Sequence, residues 1–134
     1  MESGVAQLRV LIVADDRALM SALVSFASGL GVRSLAKAES GDKALQQIRA
    51  AKPPIDAVVC DGEMMNFGAV DLLKALRAEK NSVPFLMLTA RSDLAGAVLA
   101  KRHGASDCLA KPFNQHQLGD KLRAITQTLR RPAA

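Results

Sequence analysis

A chain of 134 residues with a net charge of +5 has room for one domain, and its 49% hydrophobic content excludes a disordered polymer. Four Phe, no Tyr and no Trp leave a core of Leu, Val, Ile, Ala and Met, with no aromatic platform on which nucleic-acid bases could stack. The 18 Lys and Arg are spread along the chain among 13 Asp and Glu, as on a solvated surface. Cys60 and Cys108 lie in apolar runs without metal-ligand spacing, so both are expected as buried reduced thiols. No signal-peptide pattern and no apolar run of membrane-spanning length is present, so a cytoplasmic protein with no membrane contact is expected.

Residues 1–7 read as a loose terminus, and the domain is placed at 8–130 with 131–134 as a second flexible end. Leu8 to Ala14 is a β-branched apolar run, a buried strand ending on Asp15-Asp16. Asp16 can cap a helix whose apolar positions are Leu19, Leu23, Phe26, Ala27 and Leu30, closed by Gly29 and Gly31. Val32 to Ala38 is a weaker strand. Ser40 caps a helix with Ala44, Leu45 and Ile48 inward, and Pro53-Pro54 breaks the chain before the strand Ile55 to Asp61.

Gly62 ends that strand and opens a loop running to Gly68. A helix follows from Ala69 to Glu79 with Val70, Leu73 and Leu76 inward. Pro84 to Leu88 is a fourth strand ending on Thr89, and Leu94 to His103 is a helix stopped by Gly104. The strand Asp107 to Ala110 ends on Lys111-Pro112. Asn114 and Gln117 form a capping box for a last helix buried through Leu118, Leu122, Ile125 and Leu129. Five strands alternating with five helices specify an α/β domain with a parallel sheet covered by helices on both faces.

In such a sheet, ligands bind outside the carboxyl ends of the strands. Those ends carry Asp15, Asp16, Asp61, Thr89 and Lys111. Two carboxylates about 5 Å apart repel by roughly 3 kcal/mol at an effective dielectric of ~20, so converging carboxylates call for a cation, and oxygen ligands favour Mg²⁺. A carboxylate beside a metal, a lysine and a hydroxyl suits phosphoryl transfer. Asp61, with Gly62 leaving it open, is the candidate acceptor. Asp15 and Asp16 are the metal-holding pair.

The ordered set Asp15-Asp16, Asp61, Thr89-Ala90 and Lys111-Pro112-Phe113, with Gly104-Ala105-Ser106-Asp107 before the last strand, resembles the response-regulator receiver domain of two-component signalling, the chemotaxis-type family. The resemblance runs from about Leu8 to Leu129. It implies a flavodoxin-like, doubly wound five-stranded parallel sheet in the strand order 2-1-3-4-5, and phosphorylation of Asp61 by a histidine kinase or histidine phosphotransfer protein. Mg²⁺ would be held by Asp16, Asp61 and the backbone carbonyl of Glu63, with Asp15 acting through water. Lys111 and Thr89 would bind phosphoryl oxygens, biasing the helix 4–strand 5–helix 5 face toward a downstream protein target. A stand-alone regulator that signals by protein binding, not a turnover enzyme and not a DNA binder, is the expectation.

Departures from the family pattern bear on the switch. Met65 stands where Pro is usual and Ala69 where Gly is usual, which bears on the rigidity of the loop. Cys108 stands where a switch aromatic is usual. Glu63 and Arg91 occupy the flanking positions that tune phosphoryl lifetime, and an ion pair between them is expected. The competing readings are a haloacid-dehalogenase-type phosphatase, for which Asp61-Gly62-Glu63 only approximates Asp-x-Asp, and a flavodoxin-like cofactor binder, which Asp15-Asp16 would repel from phosphate. A third is a receiver acting without phosphorylation, which binds a partner or an anionic ligand such as a nucleotide second messenger through Lys101, Arg102, Lys121, Arg123, Arg130 and Arg131.

Overall fold

The computed structural model describes residues 4–64, 67–90 and 94–127. Five strands alternate with five helices: β1 Arg9–Val13, α1 Arg17–Gly29, β2 Ser34–Ala38, α2 Gly41–Ala50, β3 Ala57–Asp61, α3 Ala69–Ala78, β4 Phe85–Thr89, α4 Leu94–Arg102, β5 Asp107–Ala110 and α5 Gln115–Ile125. The strands pair in parallel in the order β2-β1-β3-β4-β5, the order that the resemblance implies. β3 and β4 are buried at every position, as continuous apolar runs in the middle of a two-faced sheet must be.

The period-2 alternation of each strand divides the core into two layers. Leu11, Val13, Val58, Cys60, Phe85 and Met87 face α2 and α3 on one side. Val10, Ile12, Val59, Leu86 and Leu88 face α1 and α5 on the other. The α3 stripe differs from its sequence reading. Leu72, Leu73 and Leu76 are its fully buried leucines, whereas Val70 is half-buried at the helix edge.

The described residues before β1 are also held down rather than loose. Val5 is 0% exposed, Leu8 N–H donates to the Val5 carbonyl, and Arg33 N–H donates to that of Ala6. The domain therefore begins within the segment read as a flexible terminus, because one buried valine and two backbone bonds hold it down. A packed Val5 predicts that Val5→Ala loses about 1–2 kcal/mol, the value of two buried carbon groups. A urea midpoint that does not move in that variant would show that the segment contributes nothing to the fold.

Candidate functional site

Asp61 is the last residue of β3 and is only 3% exposed. A carboxylate so placed must find partners or lose its charge. Its Oδ1 accepts from the Lys111 ammonium at 2.7 Å and from the Glu63 N–H at 3.1 Å. Lys111 follows β5, two strands away across β4, so the lysine spans two strand spacings, roughly 10 Å, from backbone to backbone. Its own N–H donates to the Thr89 carbonyl at 2.8 Å, which joins the ends of β4 and β5. Phe113 packs edge-on against Phe26 of α1, with ring centroids 6.1 Å apart, and so anchors the turn that carries the lysine.

The same ammonium also donates to Glu63 Oε1 at 2.7 Å. Burial alone would lower the pKa of Lys111, but the hydrogen bonds to Asp61 and Glu63 outweigh it and hold the lysine above its ordinary value. Glu63 was expected to pair with Arg91. Arg91 lies outside the described residues, and the partner that Glu63 shows is Lys111.

Gly62 has a stricter task than leaving Asp61 open. Its N–H donates to the Leu88 carbonyl at 2.7 Å, and a Cβ there would lie 2.6 Å from that same oxygen. Only glycine lets the chain turn out of β3 while staying this close to β4. Further along, Gly41 N–H of α2 donates to the Phe67 carbonyl, and Gly68 N–H to Asp71 Oδ2, so the far end of the loop is tied down. Met65 lies outside the described residues, and Ala69 is the first residue of α3.

Asp15 and Asp16 follow β1 and both are exposed. Asp16 Oδ1 caps α1, accepting from the N–H groups of Ala18 and Leu19. Together with Arg17, Met20 and Glu39 they line a cavity of about 170 Å³. The convergence of three carboxylates expected from the strand ends is not observed. Among the described residues, no three Asp, Glu, His or Cys side chains form a group that could hold a metal. The charge of Asp61 is balanced by Lys111, and Asp16 is turned toward its helix. The donor set nonetheless fits Mg²⁺, which takes one or two carboxylates and keeps several waters: Asp15 and Asp16 are exposed at the end of β1, and the α1 cap engages Oδ1 of Asp16 and leaves its Oδ2 for a metal.

Thr89 ends β4 and is 6% exposed. It borders a cleft of about 200 Å³ whose other walls include Glu63, Val70, Gly96 and Leu99. Cys60 is fully buried, and burial pushes its thiol pKa far up, so it is inert. Cys108 is only half-buried, and its Sγ lies 3.8 Å from the Ala97 carbonyl of α4. The expectation that both thiols are buried thus fails for Cys108, which touches the helix that a switch would move.

Part of the basic face proposed for anions is paired with carboxylates, while Arg102 is exposed. Lys101 and Lys121 both lie against Asp107, and Arg123 against Asp120. Burial alone would raise the pKa of Asp107, but these lysines and the Cys108 N–H win and hold it below the ordinary value. Arg130 and Arg131 lie outside the described residues. No described helix is long and apolar enough to cross a membrane.

Residues 10–123 match the family model of the response regulator receiver domain. The chain is 36% identical over 117 residues to the response regulator MprA of Mycolicibacterium vanbaalenii, which covers 87% of this chain and 49% of that protein. It is also 36% identical over 127 residues to the transcriptional regulatory protein PrrA of Mycobacterium tuberculosis, covering 93% of this chain and 52% of that one. It therefore spans about half the length of the curated relatives it matches. A solved response regulator from Chloroflexus aurantiacus superposes with a TM-score of 0.81 at 31% identity, over 90% of this chain and 99% of that one.

The double use of Asp16 generates a prediction. Asparagine caps a helix as well as aspartate does, so Asp16→Asn should keep stability, whereas Asp16→Ala should lose about 1 kcal/mol. Equal loss in both variants would mean that the cap is not what the carboxylate contributes.

Proposed function

The chain belongs to the response regulator receiver family of two-component signalling, and we propose that it takes a phosphoryl group on Asp61 from a histidine kinase or phosphotransfer protein. The observation that carries this reading is the Lys111 ammonium 2.7 Å from Asp61 Oδ1 at the end of the central strand. Both hydrogen bonds to the carboxylate fall on Oδ1, so Oδ2 is the oxygen that attacks phosphorus. The bond from phosphorus to the donor's imidazole nitrogen breaks, the nitrogen keeps the electron pair, and an acyl phosphate remains on Asp61.

Lys111 then turns from the carboxylate to a phosphoryl oxygen, as the charge it must balance moves outward. Asp16, Asp61 and the Glu63 carbonyl would hold Mg²⁺, with Asp15 acting through water, and the chemistry supplied by that ion is neutralisation of the phosphoryl oxygens. Thr89, on the strand between β3 and β5 and bordering the cleft, would donate its hydroxyl to a second phosphoryl oxygen.

A hydroxyl that moves there draws on the start of α4, and the bond from Cys108 to Ala97 lies on the same helix. Coupling runs through the β4–α4 backbone to the face made by α4, β5 and α5, where a protein target binds. In this reading the domain holds a phosphoryl group as a signal rather than turning over a substrate, and its setting is the cytoplasm. Among the described residues, Lys101, Lys121 and Arg123 are already paired with carboxylates, which counts against an anionic ligand as the main signal.

Incubation with acetyl phosphate and Mg²⁺ should add one phosphoryl mass to the wild type and none to Asp61→Asn. A Mg²⁺-dependent phosphoryl gain in Asp61→Asn would contradict the assignment. Thr89→Ala should still be phosphorylated yet lose phosphorylation-dependent target binding, whereas Cys108→Ala should keep both.

A further inference from the structure

Lys111 serves two carboxylates. Its ammonium is 2.7 Å from Asp61 Oδ1 and 2.7 Å from Glu63 Oε1, so the two acids lie no more than twice that distance apart with one cation between them. They are not equivalent. Asp61 is buried, whereas the Glu63 side chain is 54% exposed. The Glu63 backbone is fixed, because its N–H is bonded to Asp61 Oδ1 and Gly62 is pressed against the Leu88 carbonyl. Only the side chain of Glu63 can leave, and solvent is open to it.

We infer that Glu63 is an internal competitor of the phosphoryl group: in the unphosphorylated protein its carboxylate holds the lysine that the phosphoryl oxygens need. This rests on the reading of Asp61 as acceptor and adds a regulatory residue to it. Transfer to Asp61 puts a group of up to two negative charges beside Lys111, within the radius that Glu63 already occupies. The glutamate must then give up its cation and face a like charge. The pair therefore stabilises the empty site and destabilises the filled one.

The consequence is a phosphoryl group held at raised transfer potential. Occupancy is low with weak donors, and return of the group to an imidazole nitrogen is favoured. Such a site suits reversible exchange with a phosphohistidine. Glu63 acts through Lys111 and is a positioning residue, not a catalytic one.

The test is a titration with beryllofluoride and Mg²⁺, a noncovalent phosphoryl mimic, followed by amide shifts in the wild type, Glu63→Gln and Glu63→Ala. Both variants should bind roughly twofold to fivefold tighter than the wild type, the range that an exposed ion pair spans. The gap should narrow as salt is raised, since the cause is charge. Melting temperatures should hardly change, which separates the effect from folding. Tightening in Glu63→Ala alone would overturn the inference by making bulk the cause. Unchanged or weaker binding in both variants, with normal binding by the wild type, would overturn it while leaving Asp61 as acceptor. If the wild type bound no mimic, the acceptor reading would fall and the inference with it.

Discussion

The structure depends on the pairing of one buried carboxylate with one long cation. Asp61 ends a strand whose every residue is buried, and an ionised group there without a partner would cost several kcal/mol. Lys111 reaches it from beyond the neighbouring strand. That requirement fixes much around it: β4 must lie between the two, the turn after β5 must be anchored, and Gly62 must let the chain leave β3 against the Leu88 carbonyl. The charge pair and the parallel sheet specify each other. A sheet with β5 on the far side of β1 and β2 would leave the acid and the amine apart.

The same pair explains why a receiver can hold acids at its strand ends without a three-carboxylate cluster. Lys111 offsets Asp61 and Glu63, and the cap of α1 engages Asp16. The Lys111 ammonium already pairs with two carboxylates. A phosphoryl group taken up as proposed would exchange one set of contacts on Lys111 for another, and a ligand shifts an equilibrium only through such differential contacts. In the proposed reading that exchange would reach Thr89 through its backbone bond to Lys111, and from there α4, whose Leu94 and Val98 are exposed and whose buried residue is Ala100.

Much of this was legible in the sequence because it rests on periodicity. Apolar runs ending abruptly on Asp16, Asp61, Thr89 and Lys111 marked the strands and their ends, and two of those ends, Asp61 and Lys111, meet in the fold. Several features were not legible, each for a local reason. The eight residues before β1 have no period from which burial of Val5 could be read. Leu72 and Leu73 are adjacent on one helix and both face the core, so a rule of one inward residue per turn missed Leu72. The pairing of Glu63 with Lys111 joins residues 48 apart in sequence, and only the folded strand order brings them together. The role of Gly62 depends on a carbonyl of another strand, which no neighbour in sequence reveals.

The central claim, that Asp61 and Lys111 stabilise each other as a charge pair, is tested most directly by a double-mutant cycle in urea unfolding with Asp61→Asn, Lys111→Met and both together. Mutual stabilisation predicts a coupling energy on the order of 1–3 kcal/mol, with the double variant more stable than the sum of the single losses implies. Strictly additive losses, with coupling under about 0.3 kcal/mol, would contradict the account and leave the lysine an ordinary surface residue.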